Sequence, residues 1–229
     1  MAESGSVIVL GVGPGLGAAI ARRFARAGYA VALASRHPAK LKPIVAAILA
    51  AGGKASAHAC DATEESDVAG LVGVVEQDEG PLAAAIYNAG AFLRRPLLEM
   101  EPSDLESLWR VSALGGFLLA REVARHMLPR GRGTLIFTGA TASLRGGAGF
   151  AAFAGGKFAL RALAQSVARE LGPLGIHVAH AVLDGQVGRD PGGAKIDPDA
   201  VAGTYLALHQ QPKSAWTHEF DLRPSAERF

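Results

Sequence analysis

Hydrophobic residues fall along this chain in short unbroken runs of strand length, separated by longer stretches with a helical period. The strand-like runs are 7–10, 30–34, 55–59, 82–87, 134–138, 177–183 and 217–222. Most lack the alternation of a half-exposed strand, so both faces of each are expected to be covered, as in a parallel sheet under helices. Helical patterns occupy 16–27, 39–51, 66–77, 103–128, 150–171 and 198–210, with a break or bend expected near Val111. Gly28 follows the first helix, Gly52-Gly53 the second and Pro129 the fourth, all sound stops. The regular alternation predicts an α/β fold: one doubly wound domain over 1–229, a seven-stranded parallel sheet with helices on both faces. No repeat, low-complexity tract or linker interrupts it, and 185–198 reads as a small loop.

Composition narrows the function classes. The 229 residues are 49% hydrophobic, enough for a substantial core. A net charge of +2 with scattered arginines gives no nucleic-acid signal. The single cysteine, Cys60, excludes an internal disulfide and suits a reducing cytoplasm, where the chain is expected to work. Residues 1–5 carry no basic leader, the apolar run after them is too short for a signal peptide, and no run reaches the roughly 20 residues that span a bilayer. His177 and His180 lie three residues apart on a strand and face opposite ways, while His58 and Cys60 share a face without a third ligand, so no metal is expected. The Gly-x-Ser-x-Gly of a hydrolase elbow is absent.

The chemistry concentrates at strand ends. Gly11-Val12-Gly13-Pro14-Gly15-Leu16-Gly17 links the first run to the first helix, and such a strand–turn–helix unit seats a phosphate on backbone N–H groups. Ser35-Arg36 closes the second strand with a hydroxyl and a guanidinium, which suit a phosphate, where a carboxylate would favour two ribose hydroxyls. Cys60-Asp61-Ala62-Thr63 ends the third strand, and Tyr87-Asn88-Ala89-Gly90, with the chain's one asparagine, ends the fourth. Phe153-Ala154-Gly155-Gly156-Lys157 lies within the long helix after the fifth strand.

In this order and spacing the landmarks resemble the short-chain dehydrogenase/reductase family, from residue 6 to about the last strand. The resemblance implies a Rossmann-type domain with a nicotinamide coenzyme held by Gly11, Gly13, Gly15, Leu16, Gly17, Ser35, Arg36, Asp61, Ala62, Asn88, Ala89, Gly90, Lys157 and Val187. NADP(H) is preferred on the strength of Ser35-Arg36, and NAD(H) stays open. It implies hydride transfer between the nicotinamide and a carbonyl or alcohol carbon of a small-molecule substrate. A tyrosine would give the proton, a lysine would lower its pKa, and a serine would position the substrate oxygen. Only the lysine matches, as Lys157; the tyrosine position is Phe153, the serine position by spacing is Ala140, and the asparagine position is Ser112.

A phenyl ring has no proton to give, and loss of a placed acid costs roughly 10²–10⁴-fold in rate. Thr138, Thr141 and Ser143 offer hydroxyls nearby, Thr141 usefully only if the strand end is irregular. Lys157 itself or a water are the other candidate donors. Ser112 is expected to bond local backbone groups. Two functions therefore stand side by side: an oxidoreductase with a rearranged donor, and a coenzyme-binding sensor, scaffold or partner subunit without hydride transfer. Asp184-Gly185 stands in place of the family's Pro-Gly, and Asp221-Leu222-Arg223-Pro224 occupies a tail that often packs subunits, so the family implies a homo-oligomer, a dimer or tetramer.

Overall fold

In the computed structural model, which describes residues 5–226, the seven strands are β1 (Ser6–Leu10), β2 (Ala30–Ser35), β3 (Lys54–Ala59), β4 (Leu82–Tyr87), β5 (Gly133–Thr138), β6 (Ile176–Leu183) and β7 (Glu219–Leu222). They form one sheet in the order β3-β2-β1-β4-β5-β6-β7, and every pairing is parallel. The leader reading at residues 1–4 falls outside the described chain.

Side chains of a strand alternate between faces, and the sheet sorts them into two cores. On one side Val7, Val9, Val31, Leu33 and Ile86 meet Ile20 and Phe24 of α1 (Leu16–Arg26), Ile48 of α2 (Lys42–Ala50) and Tyr205 of α7 (Pro198–His209). On the other, Ile8, Leu10, Tyr87 and Phe137 meet Val68 of α3 (Glu65–Asp78), Leu119 of α5 (Gly115–Met127) and Leu160 of α6 (Ala151–Leu171). Chain order reverses between β1 and β4, so a crevice opens outside their carboxyl ends, where a doubly wound sheet places its ligand.

Three local features refine the sequence pattern. Residues 38–41 form a 3₁₀ turn and α2 starts later, with Pro43 in its first turn, where a missing N–H costs no helix bond. The bend near Val111 is a π-helical turn, Arg110–Leu114, between α4 (Pro102–Trp109) and α5, and the Tyr87 hydroxyl donates to the Val111 carbonyl there. The last strand starts at Glu219, not at Thr217, because the Gln211 side chain accepts from the Thr217 amide at 2.7 Å and donates to its hydroxyl at 2.9 Å. Among the described residues no helix is long and apolar enough to cross a membrane.

Gly11 joins β1 to the crevice at φ +97°, and a Cβ there would run into the backbone of Ala89. Gly11→Val is therefore expected to cost about 1–3 kcal/mol or more of unfolding free energy, measured by urea denaturation.

Candidate coenzyme and active site

The glycine turn is fastened from below. The amides of Gly11 and Val12 both donate to the Ala34 carbonyl, at 2.9 and 3.1 Å. Asn88 holds the neighbouring strand to the turn: its amide donates to the Leu10 carbonyl and its side-chain Nδ2 to the Gly11 carbonyl, each at 2.8 Å. Gly17 packs against the turn itself, whereas a Cβ on Gly13 or Gly15 would meet no atom within 4 Å. The upper side of the turn is thus open. α1 begins beside it at Leu16 with no side-chain cap on Gly15 and no acidic residue in its first turn, leaving the positive helix end to whatever enters. An open backbone cradle next to an uncapped helix start fits the pyrophosphate of a dinucleotide.

A cavity of about 560 Å³ extends from this turn across the ends of β2, β3 and β4. Of the residues singled out in the sequence, Gly11, Gly13, Ser35, Arg36, Asp61, Ala62, Asn88, Ala89 and Gly90 line it. Gly15, Leu16 and Gly17 complete the turn and helix start without being part of that lining. Val187 does not join them: it pairs with Ile196 in an isolated parallel bridge and packs against the α1/α7 core. At the β2 end, His37 and Lys40 join Arg36, and Arg110 faces them from the π-helical turn. None of these three is among the residues singled out in the sequence. The basic spacing 36-37-40 was visible in the chain, while nothing local marked Arg110. The Asp61 carboxylate accepts from the Thr63 amide and hydroxyl, both at 2.9 Å, and sits below the usual carboxylate range because of those bonds and the nearby Arg36 and Arg110.

A second cavity, about 700 Å³, opens beside the first and is walled by Phe92, Phe150 and Phe153 together with Ala140, Thr141 and Arg145. The Phe92 ring stands 5.3 Å from Phe153 and 5.6 Å from Phe150, edge-on or tilted, and the Arg94 guanidinium lies 5.5 Å over Phe150. These aromatic anchors come from outside the 185–198 loop, which contributes only Gly185 and Gln186.

Lys157 sits one helical turn beyond Phe153, buried at 6% exposure. Its Nζ donates to the Thr138 carbonyl at 2.8 Å and would lie 3.5 Å from a Cβ on Gly90, which lines the first cavity. Burial pushes its pKa down from 10.5 to about 8. The hydroxyls near it are engaged. Thr138 pairs with the Tyr205 hydroxyl at 3.0 Å, Thr141 donates to Asp184 at 2.6 Å, and Ser143 accepts from the Ala140 amide at 3.2 Å. The strand end is irregular: Thr141–Ser143 is a 3₁₀ turn, which places Thr141 and Ala140 on the same cavity wall. Ser112 corrects the expectation of a local backbone partner. Its Oγ is buried with no hydrogen bond among the described residues, in the π-helical turn where Gly156 of α6 packs onto it. Among the described residues, no group of three or more His, Cys, Asp or Glu could hold a metal ion.

The model of the short chain dehydrogenase family matches residues 6–187, most of the chain. The chain belongs to the short-chain dehydrogenase family. Gluconate 5-dehydrogenase of Gluconobacter oxydans is 32% identical over 171 residues, 75% of this chain and 67% of the relative. A short-chain dehydrogenase from Rhodopseudomonas palustris shares 45% identity and superposes with a TM-score of 0.89 over 97% of this chain and 99% of its own. A metagenomic short-chain oxidoreductase, solved in complex with NADP, shares 30% identity with a TM-score of 0.88 over 99% and 100%. As a short-chain dehydrogenase family member, the chain has relatives named as dehydrogenases and reductases, and its all-parallel seven-stranded sheet is the fold they share.

Proposed function

We propose that the chain is an NADP(H)-dependent oxidoreductase that transfers hydride to a carbonyl or an activated double bond, with Lys157 as proton donor. The observation that carries this reading is the burial of Lys157 beside Gly90, which lines the first cavity, one helical turn from Phe153 in the wall of the aromatic one. Gly11, Gly13 and Gly15 would seat the pyrophosphate, and Arg36 with Lys40 would bind a 2′-phosphate. A coenzyme held there supplies or accepts hydride at its nicotinamide. Phe92, Phe150 and Phe153 exclude water and hold an apolar substrate, and Ala140 leaves room where the family's serine would stand. Lys157, shifted toward neutrality by burial, holds a proton that it can release to oxygen or carbon as charge develops.

The engaged hydroxyls of Thr138, Thr141 and Ser143 favour a second reading: a coenzyme-binding sensor or partner subunit that performs no hydride transfer. A panel of carbonyls and enones with NADPH separates the two. Turnover by the unmodified protein supports the enzyme; binding without turnover, with activity gained only in Phe153→Tyr/Ala140→Ser, supports the silent reading. We also propose a homo-oligomer, since Leu105, Trp109, Phe117 and Phe158 leave an exposed apolar face on α4–α6.

Asn88→Ala is expected to leave the Gly11 carbonyl without its side-chain donor and to cost about 1–3 kcal/mol. A thermal melt with and without NADPH should show a lower midpoint and a smaller upward shift from the coenzyme than in the parent.

A further inference from the structure

The amino-terminal ends of the strands, opposite the coenzyme cavity, enclose another cavity of about 600 Å³ that the proposed function leaves unused. Leu82 at the start of β4, Gly133 and Thr134 of β5 and His177 of β6 form its floor. Its charged lining carries one sign. Arg130, Arg132 and Lys213 face it, with His177 and His209, and no carboxylate is among the described residues that line it.

These groups are fixed to different degrees. Arg130 is pinned by Glu76 and donates to the Leu82 carbonyl at 3.2 Å, so its charge is already matched. The Lys213 ammonium donates to the Gly131 carbonyl at 3.0 Å and rests 3.0 Å from where a Cβ on Gly175 would be. An ammonium has three N–H donors, so two remain for a ligand. Arg132 is exposed and has no carboxylate partner among the described residues. The His209 ring is buttressed by the Tyr29 hydroxyl at 2.9 Å and the Thr134 hydroxyl at 2.8 Å. Trp216 stacks on His177, with centroids 4.9 Å apart and planes 1° from parallel, and makes a flat wall.

Two cations without a carboxylate partner among the described residues, set in one concavity, repel each other and concentrate a positive field, which an anion relieves. The volume falls in the range of small-molecule sites. We propose that this cavity binds a small organic anion, a carboxylate or phosphate monoester borne on a planar ring, with its anionic head between Lys213 and Arg132 and its ring against Trp216. The site is separate from the coenzyme seat and does not depend on the oxidoreductase reading.

The test uses the Trp109→Phe protein, in which Trp216 is the one remaining tryptophan. Phenyl phosphate is titrated while the Trp216 emission is followed, with NADP⁺ present and absent and at low and high salt. The expected result is a saturable change that NADP⁺ leaves unaltered, that weakens at high salt, and that phenol does not reproduce. Replacing both exposed cations, Lys213→Ala with Arg132→Ala, should weaken binding about tenfold or more. No saturable change at millimolar ligand, equal binding by phenol, displacement by NADP⁺, or unchanged affinity in the double variant would each overturn the proposal.

Discussion

Lys157→Met is expected to lower the rate of NADPH-dependent reduction by roughly 10²–10⁴-fold, the usual worth of a placed general acid. Methionine keeps the length and apolar stem of the side chain and removes its proton. The fall should appear chiefly in kcat, with a smaller rise in KM for coenzyme, because proton donation is made only in the transition state. The pH dependence has a definite sign. With its pKa lowered to about 8, Lys157 holds its proton below that value and loses it above, so reduction by the parent should decline as pH rises through about 8. Stability moves the other way. Between about 8 and the ordinary lysine value of 10.5, the unfolded chain still binds a proton that the folded chain has released, so the parent should gain stability with rising pH across that window. Urea unfolding at pH 7 and pH 10 should show this gain in the parent and its loss in Lys157→Met, which also tests the burial of the ammonium separately from catalysis.

The second large effect concerns coenzyme choice. Arg36→Ala with Lys40→Ala should weaken NADPH binding by roughly 10²-fold, since each charge-assisted contact to a phosphate contributes about 1.5–3 kcal/mol before screening at this exposed rim. NADH affinity should change little, because it presents hydroxyls there. Titration calorimetry with both coenzymes reads the difference directly. A parallel loss for NADH would mean that the pair supports the turn itself and does not read the 2′-phosphate.

The fold was legible because the central strands are covered on both faces and therefore run apolar without alternation. β1 is buried at every position, and the same run closes directly into the glycine turn. The bend near Val111 showed in the sequence as a helix too long to be straight; its π-helical form depends on the Tyr87 hydroxyl and could not be read locally. That Gly11, Asp61 and Asn88 gather around one cavity was legible, since each follows the end of a strand and neighbouring parallel strands end together. His37 and Lys40 follow Arg36 closely and were readable as a basic cluster. The aromatic cavity was not. Phe92, Phe150 and Phe153 meet only because the loop after β4 folds over the start of α6, a contact set by tertiary packing. Val187, after β6, is half-buried, bridged to Ile196 and packed against the core, an arrangement that also depends on tertiary contacts.

The most direct measurement is titration calorimetry of the unmodified protein with NADPH and NADH. One NADPH per chain should bind saturably, more tightly than NADH, and binding should be abolished when a bulky side chain fills the open turn as in Gly13→Trp. Absence of heat with both coenzymes at millimolar concentration, or equal binding by Gly13→Trp, would contradict the claim that the turn after β1 seats a dinucleotide.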